Sequence, residues 1–441
     1  MTRRSLAVVG SGVAGLTAAH VLAKAHSVTL FEADDRLGGH ADTHRVTTPS
    51  GRELAVDTGF IVHNDRTYPT LQRLFAELGV ATQETDMSMS VRSEITGLEY
   101  AGALGLSGLF PTATNLARPR YLRMLGEVRR FHRSAHRLLA TDGAQESLAH
   151  FVDREGFSSY FQENFLLPLV AAVWSCDADT AADYPARYLF AFLDHHGMLS
   201  VFGSPTWRTV VGGSAVYVDA LARGIAARGE IRLSSPVRML RESGTGVEVV
   251  SQRGTAVHTD TFDGVVVATH PHQALTLFER PSADQRAVLG AMPYLRKHAV
   301  LHTDESVLPR AHRARASWNY QIRGGEGPGD DRRPSPIVVT YDLTRLMRLP
   351  NDEPRMLVTM GRTDLVDPGS VVDEMTYEHP VYTLESVAAQ GRLPELDTDR
   401  IAFAGAYHGW GFHEDGASSG VRAAARLGVR WKVPDVREAV R

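Results

Sequence analysis

The chain has 441 residues, too many for one ordinary domain core, and its 43% hydrophobic and 22% charged content is that of a folded protein rather than a disordered one. Its formal net charge of -4 gives no basic footprint for nucleic acid. A single cysteine, Cys176, excludes an internal disulfide and any thiolate zinc or iron–sulfur site, and it suits a reducing, cytoplasmic compartment. No apolar run reaches the ~20 residues that cross a bilayer. The longest, Phe165 to Ser175, is short and contains Pro168. The N-terminus opens directly into a strand pattern, so no signal peptide is expected, and the C-terminus carries no lipidation signal. Peripheral contact with a membrane stays open. No histidine or carboxylate spacing predicts a metal site.

Ser5 to Gly10 reads as a short apolar strand. Gly10, Gly12 and Gly15 form G-x-G-x-x-G, Leu16 to Ala25 reads as a helix, and Val28 to Phe31 as a second strand ended by Glu32. This is the strand–turn–helix–strand context of a dinucleotide fold. Gly10 allows the turn, Gly12 admits a pyrophosphate, and Gly15 lets helix and strand pack closely. The helix N-terminus offers free N–H groups to phosphates. Glu32 can accept from ribose hydroxyls and would repel a 2′-phosphate. A second glycine pair, Gly38-Gly39, follows Arg36. It suggests that the chain returns to the diphosphate, which fits FAD, gripped along its length, better than an exchangeable nicotinamide. The predicted contacts are Gly10, Ser11, Gly12, Ala14, Gly15, Glu32, Ala33, Arg36, Gly38, Gly39 and His40.

The stretch "GSGVAGLTAA…VTLFEADDRLGG" resembles the flavin-containing amine oxidase superfamily, which includes monoamine oxidases, phytoene desaturases and protoporphyrinogen oxidases. The resemblance continues in "VDTGFIVHNDRTYPTLQRLFAELGV" (Val56 to Val80), where relatives place a D-x-G-G-like turn beside the flavin. This chain has Asp57-Thr58-Gly59-Phe60, so the second glycine is lost. Gly59, Phe60 and Ile61 are the contacts implied. "WRTVVGGSAVYVDALA", "IRLSSPVRML" with Val237, and "FDGVVVATHP" with Ala268 resemble later cofactor segments. So does "RIAFAGAYHGWGFHEDGASSGVRAAARL", with Gly405, His413 and Glu414. One departure is Ala406, where many relatives carry an acid for the ribityl chain.

The resemblance implies an α/β fold. Its parts would be a discontinuous Rossmann-like FAD domain of the GR2 type (1–80, 206–272, 395–441) and an α+β substrate domain. That second domain comprises a mainly helical part, 81–205, and a sheet part, 273–394. "GGEGPGDDRRPSP" (324–336) reads as an exposed loop. "SWNYQI", "VVTYDLTRL", "HPVYT" and "AYHGWGFHEDG" resemble a bacterial subfamily of predicted NAD/FAD-binding oxidoreductases, whose genes often lie near cyclopropane synthase-like genes.

A flavin needs its substrate placed and water excluded more than it needs acid–base residues. Four side chains are candidates for that work. Lys297 falls where several amine oxidases hold a water beside the flavin, or it is a surface lysine at a strand entrance. Trp410 and Phe412 are candidate walls before the flavin, or packing under a loop. His408 can deliver a proton, or simply brace its loop. Trp318, Tyr320, Tyr341 and Tyr382 read as pocket linings or core. Cys176 lies outside the cofactor motifs, so no thioether to FAD is expected. The implied activity is two-electron oxidation or desaturation of an apolar, fatty-acyl or isoprenoid-like substrate. Alternatives are amine oxidation with O2, double-bond isomerisation, or an inactive flavin-binding partner. The electron acceptor, O2 or another, stays open.

Overall fold

Five parallel strands carry the cofactor half of the molecule. Their order is Glu230–Arg232, Ser27–Phe31, Ser5–Val9, Gly264–Val267 and Ile401–Phe403. The strands at the middle are apolar with no alternation, and Leu6, Ala7, Val8, Val265 and Val266 are all buried. That pattern belongs to a sheet covered on both faces. Its strands come from three separated stretches of chain. The computed structural model describes residues 3–141, 145–174, 178–200, 203–324 and 338–431. Cys176, Lys432 and nearly all of the Gly/Pro-rich stretch 324–336 lie outside the described residues.

Helices Val13–Leu22 and His413–Arg426 pack against each other on one face of this sheet. Their backbones almost touch. A Cβ placed on Gly420 would lie 2.3 Å from the Ala14 carbonyl oxygen, and one on Gly416 would lie 2.7 Å from Val13 Cγ1. On the other side, "IRLSSPVRML" splits in two. Its first residues form the edge strand Glu230–Arg232. Val237–Glu242 opens a three-stranded antiparallel meander with Val247–Arg253 and Ala256–Phe262.

The second half is built on a seven-stranded sheet. Its order is Val371–Pro380, Tyr294–His302, Leu357–Gly361, Val338–Asp342, Trp318–Ile322, Met89–Ser93 and Leu98–Ala101. Only Trp318–Ile322 and Met89–Ser93 run parallel. Met89–Ser93 and Leu98–Ala101 lie in the stretch expected to be mainly helical. They pair through a tight turn that closes at Gly97, where φ is +65°, a conformation glycine adopts freely. The same stretch opens with a third short strand, Thr82–Glu84, and its remaining regular elements are helical, including Pro119–Leu139, Leu148–Glu155, Leu167–Trp174 and Ala186–His195. These helices bury an aromatic core of Tyr121, Phe131, Phe151, Phe161, Phe190 and Phe192. No helix among the described residues is long and apolar enough to cross a membrane.

The contact between first and last helix gives a direct prediction. Gly420→Ala forces a methyl onto backbone, which cannot rotate away. Overpacking of this kind costs about 1–3 kcal/mol. Thermal unfolding of the variant is expected several degrees below wild type; an unchanged midpoint would show that the two helices separate freely.

Candidate cofactor and substrate cavity

One cavity of about 780 Å³ runs between the two halves. Its first end lies at the carboxyl ends of the parallel strands, where open α/β sheets bind ligands. Gly10 turns there with φ +97°, and its missing Cβ would meet the Ala268 carbonyl oxygen at 2.7 Å. At Gly15 a Cβ would lie 1.9 Å from the Gly10 carbonyl oxygen, so only glycine lets the helix start this close to the strand. Gly12 is different. A Cβ there would meet nothing within 4 Å, because the residue faces the cavity. Gly12 also precedes a helix that has no side-chain cap, leaving first-turn N–H groups free. The second glycine pair returns to this turn. Gly38 N–H donates to the Ser11 carbonyl at 3.1 Å, and Gly39 sits against Gly12.

Glu32 lines the same end. Its carboxylate accepts from the Ser11 and Asp34 backbone N–H groups, at 2.8 and 3.0 Å, one on each oxygen. Each oxygen has capacity to accept a further hydrogen bond. Ala33 and Val237 line the wall beside it. Arg36 lines the cavity too, but its guanidinium is already engaged by Asp42 at 3.1 Å and by the Gly39 carbonyl at 3.0 Å.

The middle of the cavity is walled by His40, Gly59, Phe60, Ile61, Ala268, Gly405, Phe412 and His413. The His413 ring stacks on Phe60 at 3.8 Å and approaches the Tyr217 hydroxyl at 3.2 Å. Burial pushes its pKa down to about 3, so the ring is neutral. Asp57, the acid of the D-x-G-F turn, does not face the cavity. It accepts from Thr43 Oγ1 (2.5 Å) and from Ser214 N–H and Oγ (2.9 and 2.8 Å). Desolvation raises it to about 6. It therefore ties two distant chain segments beneath the cavity.

The far end is apolar. Met87, Val173, Met198, Met360 and Met375 line it with Trp174, Phe192, Trp318 and Tyr341. Phe412 stacks on Phe192 at 4.8 Å, with planes 18° apart. His196 is the polar group here. Its Nδ1 donates to the Phe192 carbonyl at 3.0 Å, and burial lowers its pKa to about 4. No acidic residue among the described residues lines this end. The acids of the cavity, Glu32, Asp34, Asp42 and Glu378, stand elsewhere along it.

Several expectations need correction. Glu414 does not reach the cavity. Its carboxylate accepts from Thr70 and Leu71 N–H, at 2.9 and 3.0 Å, and so caps helix Pro69–Leu78. Trp410 faces away, packed among Tyr188, Phe192, His195 and His196. The turn at Gly411, with φ +90°, separates it from Phe412. His408 is likewise outside the lining; it packs on Tyr407 at 4.8 Å, and burial lowers its pKa to about 3. Lys297 pairs with Tyr377 across the sheet and does not line the cavity. Tyr377 and His379 form the wall at that level, and the lysine's charge adds to the desolvation that lowers the pKa of His379. Gly15 and Gly38 shape the turns without lining the cavity. Of the four aromatics named as linings or core, Trp318 and Tyr341 line it while Tyr320 and Tyr382 are core.

A cluster of half-buried imidazoles lines the cavity wall and was not among the expectations. His40, His270 and His379 lie together, with ring centroids 5.8–5.9 Å from His40. Tyr377 stands 5.3 Å from His40, and its hydroxyl donates to Asp42 at 2.9 Å. Burial keeps His40 well below its usual pKa and His379 down to about 4. Glu378 lies 2.8 Å from His270 Nδ1 and 3.4 Å from His272 Nε2, grouping three ligating side chains. Only the "HPH" spacing could have hinted at it.

A dinucleotide turn, a second glycine pair and an enclosed apolar end define a flavoprotein oxidoreductase. Residues 13–303 match the family model described as flavin containing amine oxidoreductase, and the chain belongs to that family. Its cofactor is FAD. A relative in Mycobacterium tuberculosis, named "Putative flavin-containing monoamine oxidase AofH", is 26% identical over 353 residues, covering 76% of this chain and 70% of that protein. Among solved structures, cyclohexylamine oxidase from Brevibacterium oxydans IH-35A aligns with a TM-score of 0.66 at 17% identity, over 96% of this chain and 98% of that one. A CLA-producing fatty acid isomerase from P. acnes aligns with a TM-score of 0.65 at 16% identity, over 97% and 99%. At these identities the two structures establish the fold.

The two glutamates separate by experiment. A hydrogen bond to a charged group contributes about 1.5–3 kcal/mol. Glu32→Ala is therefore expected to weaken FAD binding tenfold or more, read as flavin per polypeptide after gel filtration. Glu414→Ala should keep full flavin and lose only about 1 kcal/mol of stability, as a lost helix cap does. The opposite pattern would exchange their roles.

Proposed function

We propose that this chain dehydrogenates an uncharged, elongated apolar substrate of the fatty-acyl or isoprenoid kind. The observation that carries the reading is the far end of the cavity, where methionines and aromatics stand with no described carboxylate. Unbranched methionine adapts to long, flexible chains, and aromatic walls pack against them. An ammonium group brought there would lose its water without gaining a counter-charge.

Bound FAD supplies the two-electron acceptor. In this reading the Gly12 turn and the uncapped helix start at Val13 hold the diphosphate, Glu32 the ribose, and the Val237 backbone the adenine. His40, Gly59, Phe60, Ile61, Ala268, Gly405 and His413 surround the remainder. Phe412, Trp174 and Phe192 press the substrate against the acceptor and exclude water. Desaturation breaks two C–H bonds: one carbon gives up a hydride and its neighbour a proton. Neutral His379 and His40 have free capacity to take that proton, and Glu378 with His270 and His272 leads it toward solvent.

Amine oxidation is the second reading. It is favoured by the similarity to the mycobacterial protein named as a monoamine oxidase. An amine could enter this wall only in its neutral form.

Anaerobic bleaching of the flavin separates the readings. Unsaturated acyl or isoprenoid compounds are expected to reduce the yellow protein, and primary amines to leave it oxidised. Bleaching by amines alone would overturn the proposal. A second measurement concerns Lys297. Because Tyr377 and His379 form the wall at its level, Lys297→Met is expected to change reoxidation by O2 less than tenfold in stopped flow. A hundredfold loss, about 3 kcal/mol of barrier, would return the lysine to the flavin's edge.

A further inference from the structure

Large apolar side chains are rarely exposed among the described residues, and four of the nine that are come from residues 95–122. Ile95 is 58% exposed, Leu106 76%, Leu116 59% and Leu122 43%. Hydrogen bonds tie the segments that bear them to one another. The Arg118 guanidinium donates to the Thr96 and Gly97 carbonyls at 2.7 and 3.0 Å, fixing the turn that bears Ile95. The Asn115 amide donates to the Glu99 and Leu109 carbonyls, and the Tyr121 hydroxyl also donates to Leu109. Nothing here is a frayed end.

The same stretch is strongly basic. Residues 118–137 hold seven arginines and one acid, a local charge of +6 in a chain whose net charge is -4. The acid, Glu127, is buried and accepts from Ser158 N–H and Oγ. Helix Pro119–Leu139 buries Tyr121, Met124, Phe131, Ser134 and Ala135. The opposite arc presents Leu122, Arg129 and Arg133, spaced seven and four residues apart, with Arg123 beside them. Arg137 pairs with Glu155 and Arg130 approaches Glu127. Among the described residues, Arg120, Arg123, Arg129 and Arg133 have no acidic partner.

We infer that this surface docks on an anionic lipid bilayer. The exposed leucines would enter the headgroup–acyl boundary and the unpaired arginines would meet lipid phosphates, the arrangement of an interfacial anchor. Charge complementarity selects the occupant: a zwitterionic or neutral surface would leave the arginines unsatisfied. A nucleic acid would satisfy them and leave four apolar side chains in water. The contact is peripheral. The inference uses no feature of the cavity, so it stands or falls separately from the substrate reading.

The test is flotation of the intact FAD-loaded chain with vesicles of phosphatidylglycerol or of phosphatidylcholine. Wild type is expected on phosphatidylglycerol at low salt, released by salt as surface charges are screened, and absent from phosphatidylcholine. Arg123→Glu with Arg129→Glu should weaken binding about tenfold or more. Leu106→Ser with Leu116→Ser should weaken it without changing the salt dependence. Flavin content should be unchanged in both variants, which reports that they fold. Equal binding to both vesicles, or none to either, overturns the inference. So does a wild-type dimer in light scattering that the same substitutions dissociate, since the face would then join two copies of this chain.

Discussion

The backbone of the first helix lies against the backbone of the last, and the cavity exists because of that contact. Gly15 lets the first helix start beside the first strand. Gly416 and Gly420 then let the final helix approach it more closely than any side chain would permit. Both helices are thereby aligned with their N-termini at the cavity, the first at Gly12 and Val13, the last at Phe412 and His413. Each N-terminus brings about half a positive charge. In the proposed reading, one pole stands where the diphosphate would be held and the other where a reduced ring would carry negative charge. No lysine among the described residues lines the cavity.

Charge along the cavity is arranged by desolvation. Acids are confined to the first end and the middle, and three of the four are engaged: Glu32 by backbone N–H groups, Asp42 by Arg36 and Tyr377, Glu378 by His270. The imidazoles farther in, His40, His379, His413 and His196, are all pushed below their ordinary pKa by burial. At neutral pH they are uncharged acceptors or donors. A cationic imidazole in these positions would add a charge that the desolvated wall does not compensate. Neutral rings leave the field to the two helix ends.

How much of this was legible in sequence follows from the range of the interactions. The turn at Gly10–Gly15, the Glu32 ending and the second glycine pair are local, and residue spacing alone carries them. The three-piece assembly was legible only through resemblance, because no periodicity says that 264–267 sits between 5–9 and 401–403. Trp410 and Phe412 are two residues apart in one loop, and only the left-handed turn at Gly411 sends them to different surroundings. Glu414 had a plausible role beside the cofactor until helix Pro69–Leu78, distant in sequence, supplied two unsatisfied N–H groups. Lys297 was placed by strand pattern, but which side chains close the wall depends on its partner strand, Val371–Pro380. The imidazole cluster draws on residues 40, 270 and 379, a separation no motif spans.

Specificity in such a site has to come from what the wall refuses. Hydride transfer asks only that a C–H bond be held near the acceptor in a dry space, and any substrate that fits the shape satisfies that demand. A wall of methionine and aromatic side chains discriminates weakly among apolar substrates, by roughly 1–3 kcal/mol per methylene. Against charge it discriminates strongly, because an ion loses its hydration and finds no partner. In the proposed reading, the cavity sorts molecules first by whether they are ionised and only then by length. Moving a single carboxylate into or out of the far wall would change the class admitted, while the turns, the helix ends and the cofactor stayed where they are.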